Sequence, residues 1–275
     1  GAKSGFASAT SPMSEGVLVS IAELTLTPTP VITGDPVFGQ TLGVDAGVWD
    51  DGVEVDIEWF IDGEGVDDSS TFTPGAEHVG KTFTVVVTGT KSGYATVEKT
   101  SIGVVLNPAA MELTPTPLIT GSVFGQNLGV DLGVWDSDVD LDLEWFVDGV
   151  AVPESDVSSL TPTSDQVGKK FTVVVTATKP GYATVQKTSA ELTLGAASLT
   201  LTPTPVLSGN NVQGQVVTVD PSIWDEGVTA TIKWMVGGTE VTGESGTTLT
   251  LTKDMVGKSV VAEVTGSKAG FTSVT

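Results

Sequence analysis

Residues 53–61 read Val-Glu-Val-Asp-Ile-Glu-Trp-Phe-Ile. The spelling returns as Val-Asp-Leu-Asp-Leu-Glu-Trp-Phe-Val at 139–147 and as Val-Thr-Ala-Thr-Ile-Lys-Trp-Met-Val at 228–236. Apolar and polar residues alternate with period two, the pattern of a strand with one face buried. Trp59, Trp145 and Trp234 share the parity of the apolar face, which predicts a place in the core. Phe60, Phe146 and Met235 fall on the outward parity, among acids. Val86 and Val174 are outward on the strand expected beside it, so these five residues form a candidate partner-contact patch.

The flanking sequence keeps step with this strand. Phe83, Val85 and Val87 return as Phe171, Val173, Val175 and as Val260, Ala262, Val264. Leu42/Val44 match Leu128/Val130 and Val217/Val219. Thr-Pro-Thr-Pro opens each copy, with Pro28, Pro115 and Pro203 spaced 87 and 88 residues apart. A fixed period of this size means tandem modules. No helical period is sustained. Short strands separated by turn signals, with a tryptophan at the centre of one, predict an all-β chain of three tandem immunoglobulin-like β-sandwich domains in an elongated array. The expected boundaries are 23–109, 110–197 and 198–275, the last with an incomplete final strand.

Gly-Val-Trp-Asp, Glu-Trp-Phe-x-Asp-Gly, Val-Gly-Lys-x-Phe-Thr-Val and Lys-x-Gly-Tyr-Ala-Thr-Val resemble the tandem Ig-like repeats of secreted and cell-surface proteins of actinobacteria and related bacteria. The resemblance implies the fold and an extracellular setting. Such repeats flank glycosidases, peptidases and adhesins alike, so it implies no single activity. The third copy departs from the pattern, with Gln213 in place of Phe and Gly237 in place of Asp62 and Asp148.

The chain has 275 residues and a net charge of −22. That balance argues against nucleic acid, which needs a basic surface, and against anionic lipid. No cysteine is present, which excludes disulfides, thiolate metal sites and cysteine nucleophiles. No apolar run reaches the roughly 20 residues of a membrane helix. His78 is the only histidine and its counterparts are Gln166 and Met255, so no repeated catalytic set can be assembled.

Residues 3–10 match Lys91–Glu98, the end of a repeat, and the chain opens with Gly1 in mid-repeat. This is expected of a piece cut from a longer array, with residues 1–22 as the trailing strand of an upstream repeat. The competing reading is strand donation, in which Val17, Leu18, Val19 and Ile21 of one chain complete the open third sandwich of the next. Trp49, Trp135 and Trp224 precede Asp50, Asp136 and Asp225 and are expected to lid the sandwich; a sugar-stacking platform is the alternative. Those aspartates, with Asp45, Asp131 and Asp220, are also candidate calcium ligands, although no calcium-loop motif is present. Lys81, Lys169 and Lys258 recur before a core strand, where an isopeptide crosslink is conceivable and exposure is the ordinary state.

The functional expectation is a non-catalytic extracellular stalk or filament segment of a bacterial surface or secreted protein, whose partners are neighbouring Ig-like repeats or copies of itself. The alternatives are a carbohydrate-binding array of a secreted polysaccharide-degrading enzyme, or an adhesin segment.

Overall fold

The computed structural model describes residues 4–6, 10–153 and 157–275. Positions 3 and 7–9 of the expected N-terminal hairpin match lie outside the described residues. Compactness divides the chain into one unit of Gly1–Ala110 with Pro180–Ala183 and a second of Met111–Lys179 with Thr184–Thr275.

The first unit holds one sandwich. Its strands are β1 (Val31–Thr33), β2 (Leu42–Asp45), β3 (Glu54–Ile61), β4 (Glu64–Asp67), β5 (Thr71–Phe72), β6 (Thr82–Thr90), β7 (Val97–Thr100) and β8 (Val104–Val105). One sheet runs β1-β2-β5; the other runs β4-β3-β6-β7, with β8 also on β6. All these strand pairs are antiparallel. Two sheets with this crossing order make the immunoglobulin-like sandwich. The hairpin from β3 to β4 turns at Asp62 and Gly63, both left-handed (φ 50° and 90°), the requirement of a type I′ turn. Asp62 Oδ1 accepts the Thr82 N–H at 3.0 Å. Gly237 keeps the same turn in the third copy (φ 58°) without a side chain to make that bond.

Trp59 fills the core with Leu42, Phe83, Val85, Val87 and Leu106. Its indole N–H reaches the Ser69 carbonyl at 2.9 Å, so the polar edge of the ring is satisfied where the ring is buried. Inward parity holds at the centre of β3 and opens at its start. Val55, expected inward, is 40% exposed; it pairs with Gly89, and the ring of Trp49 lies over that glycine. Ala230, opposite Gly266 under Trp224, is exposed in the same way.

The second unit holds two sandwiches of this kind. In one, the sheets are built from 118–120, 128–131 and 159–160 and from 150–151, 140–147, 170–178 and 185–188, with 192–193 also on 170–178. Its core gathers Leu128, Trp145, Phe171 and Leu194. In the other, 206–209, 216–220 and 248–250 face 239–240, 229–236 and 260–267 around Trp234, Val219 and Leu249. Among the described residues, 260–267 pairs beyond Trp234's own strand only through Gly266 with Val274. No α-helix occurs among the described residues.

Two serines pin the last strand of each complete sandwich. Ser101 and Ser189 are each 7% exposed. Their N–H groups donate to the carbonyls of Val85 and Val173, and their hydroxyls accept the N–H of the same valines at 2.9 and 3.0 Å. Removing the hydroxyl strands a buried N–H. Ser189→Ala is therefore expected to cost about 1–3 kcal/mol, and Trp145→Ala about 3–5 kcal/mol, both measured by urea unfolding of the full chain.

Candidate functional site

The recurrent Trp-Asp pairs build a clasp on the segment that enters each sandwich. Asp50 accepts the N–H groups of Thr25 (2.6 Å) and Leu26 (3.2 Å) and the Thr25 hydroxyl (2.7 Å). Asp225 does the same for Thr200 and Leu201. Asp136 accepts the N–H groups of Glu112 and Leu113 at 2.9 and 3.0 Å. The Thr25 hydroxyl is foremost in holding the Asp50 carboxyl below its ordinary pKa, and the Thr200 hydroxyl acts likewise on Asp225. For Asp136 the leading cause is the Glu112 N–H. The tryptophan fixes the turn that carries each aspartate: the indole N–H of Trp49, Trp135 and Trp224 donates to the carbonyls of Ala46, Leu132 and Pro221 at 3.0 Å.

The segment leaving a sandwich is bonded as closely. In the second unit, Gly195 donates to the Ser122 carbonyl and accepts the Phe124 N–H. Two residues on, Ala197 donates to the Gly270 carbonyl and accepts the Thr272 N–H. One extended stretch is thus stitched to the second sandwich at 195 and to the third at 197. The ring of Phe124 stands edge-on to Phe271, centroids 5.8 Å apart, and any side chain at Gly270 would collide with it. Lys268 lies over the other ring, 4.7 Å from its centroid, and donates to the Glu226 carbonyl. The first unit contains the matching set. Asn107 bonds to Pro36 and Phe38, Ala109 bonds to Gly181 and Ala183, and Phe38 stands edge-on to Tyr182 at 5.6 Å.

Phe38 and Phe124, with the Gly-aromatic pairs that receive them, were not among the expected site residues. The signal was in the repeated Val-Phe-Gly-Gln, but sequence cannot say which way a loop phenylalanine turns. The expected sites fall as follows. Phe60, Phe146, Met235, Val86 and Val174 are half-buried. Trp49 is 9% exposed and packed over Gly89, and Trp135 and Trp224 are half-buried. Of the aspartates proposed for calcium, Asp50, Asp136 and Asp225 engage both carboxylate oxygens with N–H or hydroxyl donors. Those at 45, 131 and 220 accept the N–H two residues on. Among the described residues no three His, Cys, Asp or Glu side chains converge on a metal position. His78 Nδ1 accepts the Gly75 N–H at 3.0 Å, a capping role in a turn. Lys81 and Lys258 are exposed and Lys169 is half-exposed. Val17, Leu18, Val19 and Ile21 lie exposed in an unpaired stretch.

No protein-family model and no curated protein matches the chain. Among solved structures it is similar to a Ca2+-stabilized adhesin with which an Antarctic bacterium binds ice, at 15% identity over 92% of this chain and 72% of that one (TM-score 0.35). It is also similar to the ICAM-5 D1–D4 ectodomain fragment, at 16% identity over 91% and 75% (TM-score 0.35). A third is the three N-terminal domains of the outer capsid protein Hoc of bacteriophage RB49, at 14% identity over 90% and 94% (TM-score 0.30). The fold assignment here rests on the strand order given above, and no helix among the described residues is long and apolar enough to cross a membrane.

Three outcomes follow from the clasp. A carboxylate whose folded pKa is depressed contributes stability above its unfolded value, near pH 4, and loses it as pH falls through the folded value. The melting temperature should therefore drop below about pH 4, and Asp225→Asn should lower it at neutral pH while flattening the acid limb. With the oxygens so occupied, a chelator should leave the melting temperature unchanged.

Proposed function

We propose that the chain is a non-catalytic structural array on the outside of a bacterium, a stalk or filament segment that sets spacing and presents other parts at a distance. The observation that carries this reading is the bonded stretch from Gly195 to Leu201. Gly195 is tied to the second sandwich; Ala197, Thr200 and Leu201 are tied to the third. A spacer needs such a joint, because Gly/Ser linkers behave as random coils, whereas here the inter-domain backbone is paired as in a sheet. The acidic balance suits an exposed, self-repelling surface. Its partners are neighbouring Ig-like repeats or copies of itself. The polysaccharide-binding alternative leans on the Trp49, Trp135 and Trp224 rings, and the burial of Trp49 counts against it.

Backbone 15N relaxation on the full chain tests the reading. Residues 195–201 should show order parameters near the ~0.85 of rigid strands, and values under about 0.6 would overturn it. Phe124→Ser should lower them at 195–201 while leaving the strands of both sandwiches unchanged.

A further inference from the structure

Every sandwich holds one aliphatic residue far out into water, and always at the same place. Val48, Val134 and Ile223 are exposed to 79%, 76% and 82%. The turns that carry them are pinned from two sides. Asp45, Asp131 and Asp220 accept the N–H of Gly47, Gly133 and Ser222 at 2.9, 3.0 and 2.8 Å. The indoles of Trp49, Trp135 and Trp224 bond back to a carbonyl of the same turn. The residue before each aliphatic is left-handed (φ 70°, 68° and 60°), and the third copy keeps that conformation with a serine, against its steric cost. A second aliphatic stands beside the first. Leu26, Leu113 and Leu201 are exposed to 52%, 50% and 48%, and their N–H groups bond to Asp50, Asp136 and Asp225 of the same turns. A side chain at Gly47 or Gly133 would strike Pro28 or Pro115, so the entering segment lies against the turn along this length.

A lone exposed aliphatic residue is ordinary, and such residues drift between copies: Ile102, 85% exposed, is matched by Ala190. The pair at the turn does not drift. The third copy has lost the loop phenylalanine and the hairpin aspartate to Gln213 and Gly237, yet it retains Leu201 and Ile223. Nor does an adjoining sandwich cover the pair. The second sandwich joins the third through residues 195–197, and Leu201 and Ile223 are as open as their counterparts. Carboxylates frame the site. Residues 45–52, 131–138 and 220–227 each contain three acids and no lysine. The third acid is Asp51, Asp138 or Glu226, so its place shifts while the number is kept. Lys91 and Lys268 reach the first and third of these turns and donate to a backbone carbonyl there, which sets one ammonium against three carboxylates.

We infer that each of these turns docks a cationic, aliphatic-bearing segment of a partner protein. Its apolar side chains cover Leu26 and Val48, or their counterparts, and its Lys or Arg groups meet the surrounding carboxylates. Charge selects this occupant: a second copy of the chain would bring the same acids against the same acids, and like charges in apposition are repelled. The pinned turn holds its aliphatic residue in place before binding, so little ordering remains to be done when the partner arrives. One chain carries three such sites, and a partner with several matching segments gains avidity from their repetition. The inference goes beyond the array reading and does not depend on it.

Two fluorescent peptides of equal length and charge test it by anisotropy on the full chain, one of alternating lysine and leucine, the other of alternating lysine and serine. The leucine peptide should bind about tenfold more tightly, because only it covers the aliphatic pair. Combining Val48→Ser, Val134→Ser and Ile223→Ser should erase that preference while the melting temperature stays unchanged, since all three side chains stand in water. Val48→Ser alone should remove one binding site from the titration. Ile102→Ser, equally exposed but away from the turns, should leave the preference intact. Equal binding of the two peptides, a preference that survives the triple variant, or a preference lost in Ile102→Ser would overturn the inference. So would sedimentation in which the triple variant disperses an assembly formed by the full chain, a result that would give the turns to copies of this protein. In every case the order parameters at 195–201 report on the array reading separately.

Discussion

An extended backbone withdrawn from water has to find partners for every N–H and carbonyl. In this protein that constraint is met by letting one stretch of chain belong to two sandwiches in succession. Leu194 closes one core, Gly195 bonds to the loop of the same sandwich, and Ala197 bonds to the turn of the next. Because the two attachments are two residues apart, alternation along the strand directs both sets of bonds from a single extended segment. The joint is therefore made of the same ladder chemistry as the sheets.

The side chains around the joint serve this backbone. Aspartates 50, 136 and 225 accept N–H groups from the incoming segment, and tryptophans 49, 135 and 224 hold the turns that present them. The acidity of the chain thus has two parts. Some carboxylates are structural acceptors where they sit, and all of them contribute to the net charge of −22. An exposed carboxylate bridging two backbone N–H groups is attractive in its own right, which accounts for its recurrence without a metal.

Symmetry between repeats breaks at the third sandwich. Gln213 replaces the joint phenylalanine and Gly237 replaces the turn aspartate, yet the turn geometry and the tryptophan core persist. The turn tolerates Gly237 because glycine adopts the left-handed region freely. Gly237 lacks the side chain that accepts the Thr82 and Lys170 N–H groups in the other two sandwiches.

Much of this was legible in the residues. Period-two alternation at 53–61, the buried parity of Trp59, Trp145 and Trp234, the tandem period and the resulting sandwich could all be read in sequence, because burial on one face of a strand leaves a local pattern. The partial exposure of Val55 and Ala230 was not, since it depends on glycines 89 and 266 across the sheet and on tryptophans folded over them. Phe38 and Phe124 were visible as repeated residues but not as wedges, and Asp50 was visible as a repeated acid but not as an acceptor for an N–H 25 residues earlier. Which loop meets which turn is a long-range relation with no local period. The sequence by itself determined the fold class and the core. The tertiary structure decided what the repeated polar and aromatic residues bond to, because a hydrogen bond needs a partner's position as well as its identity.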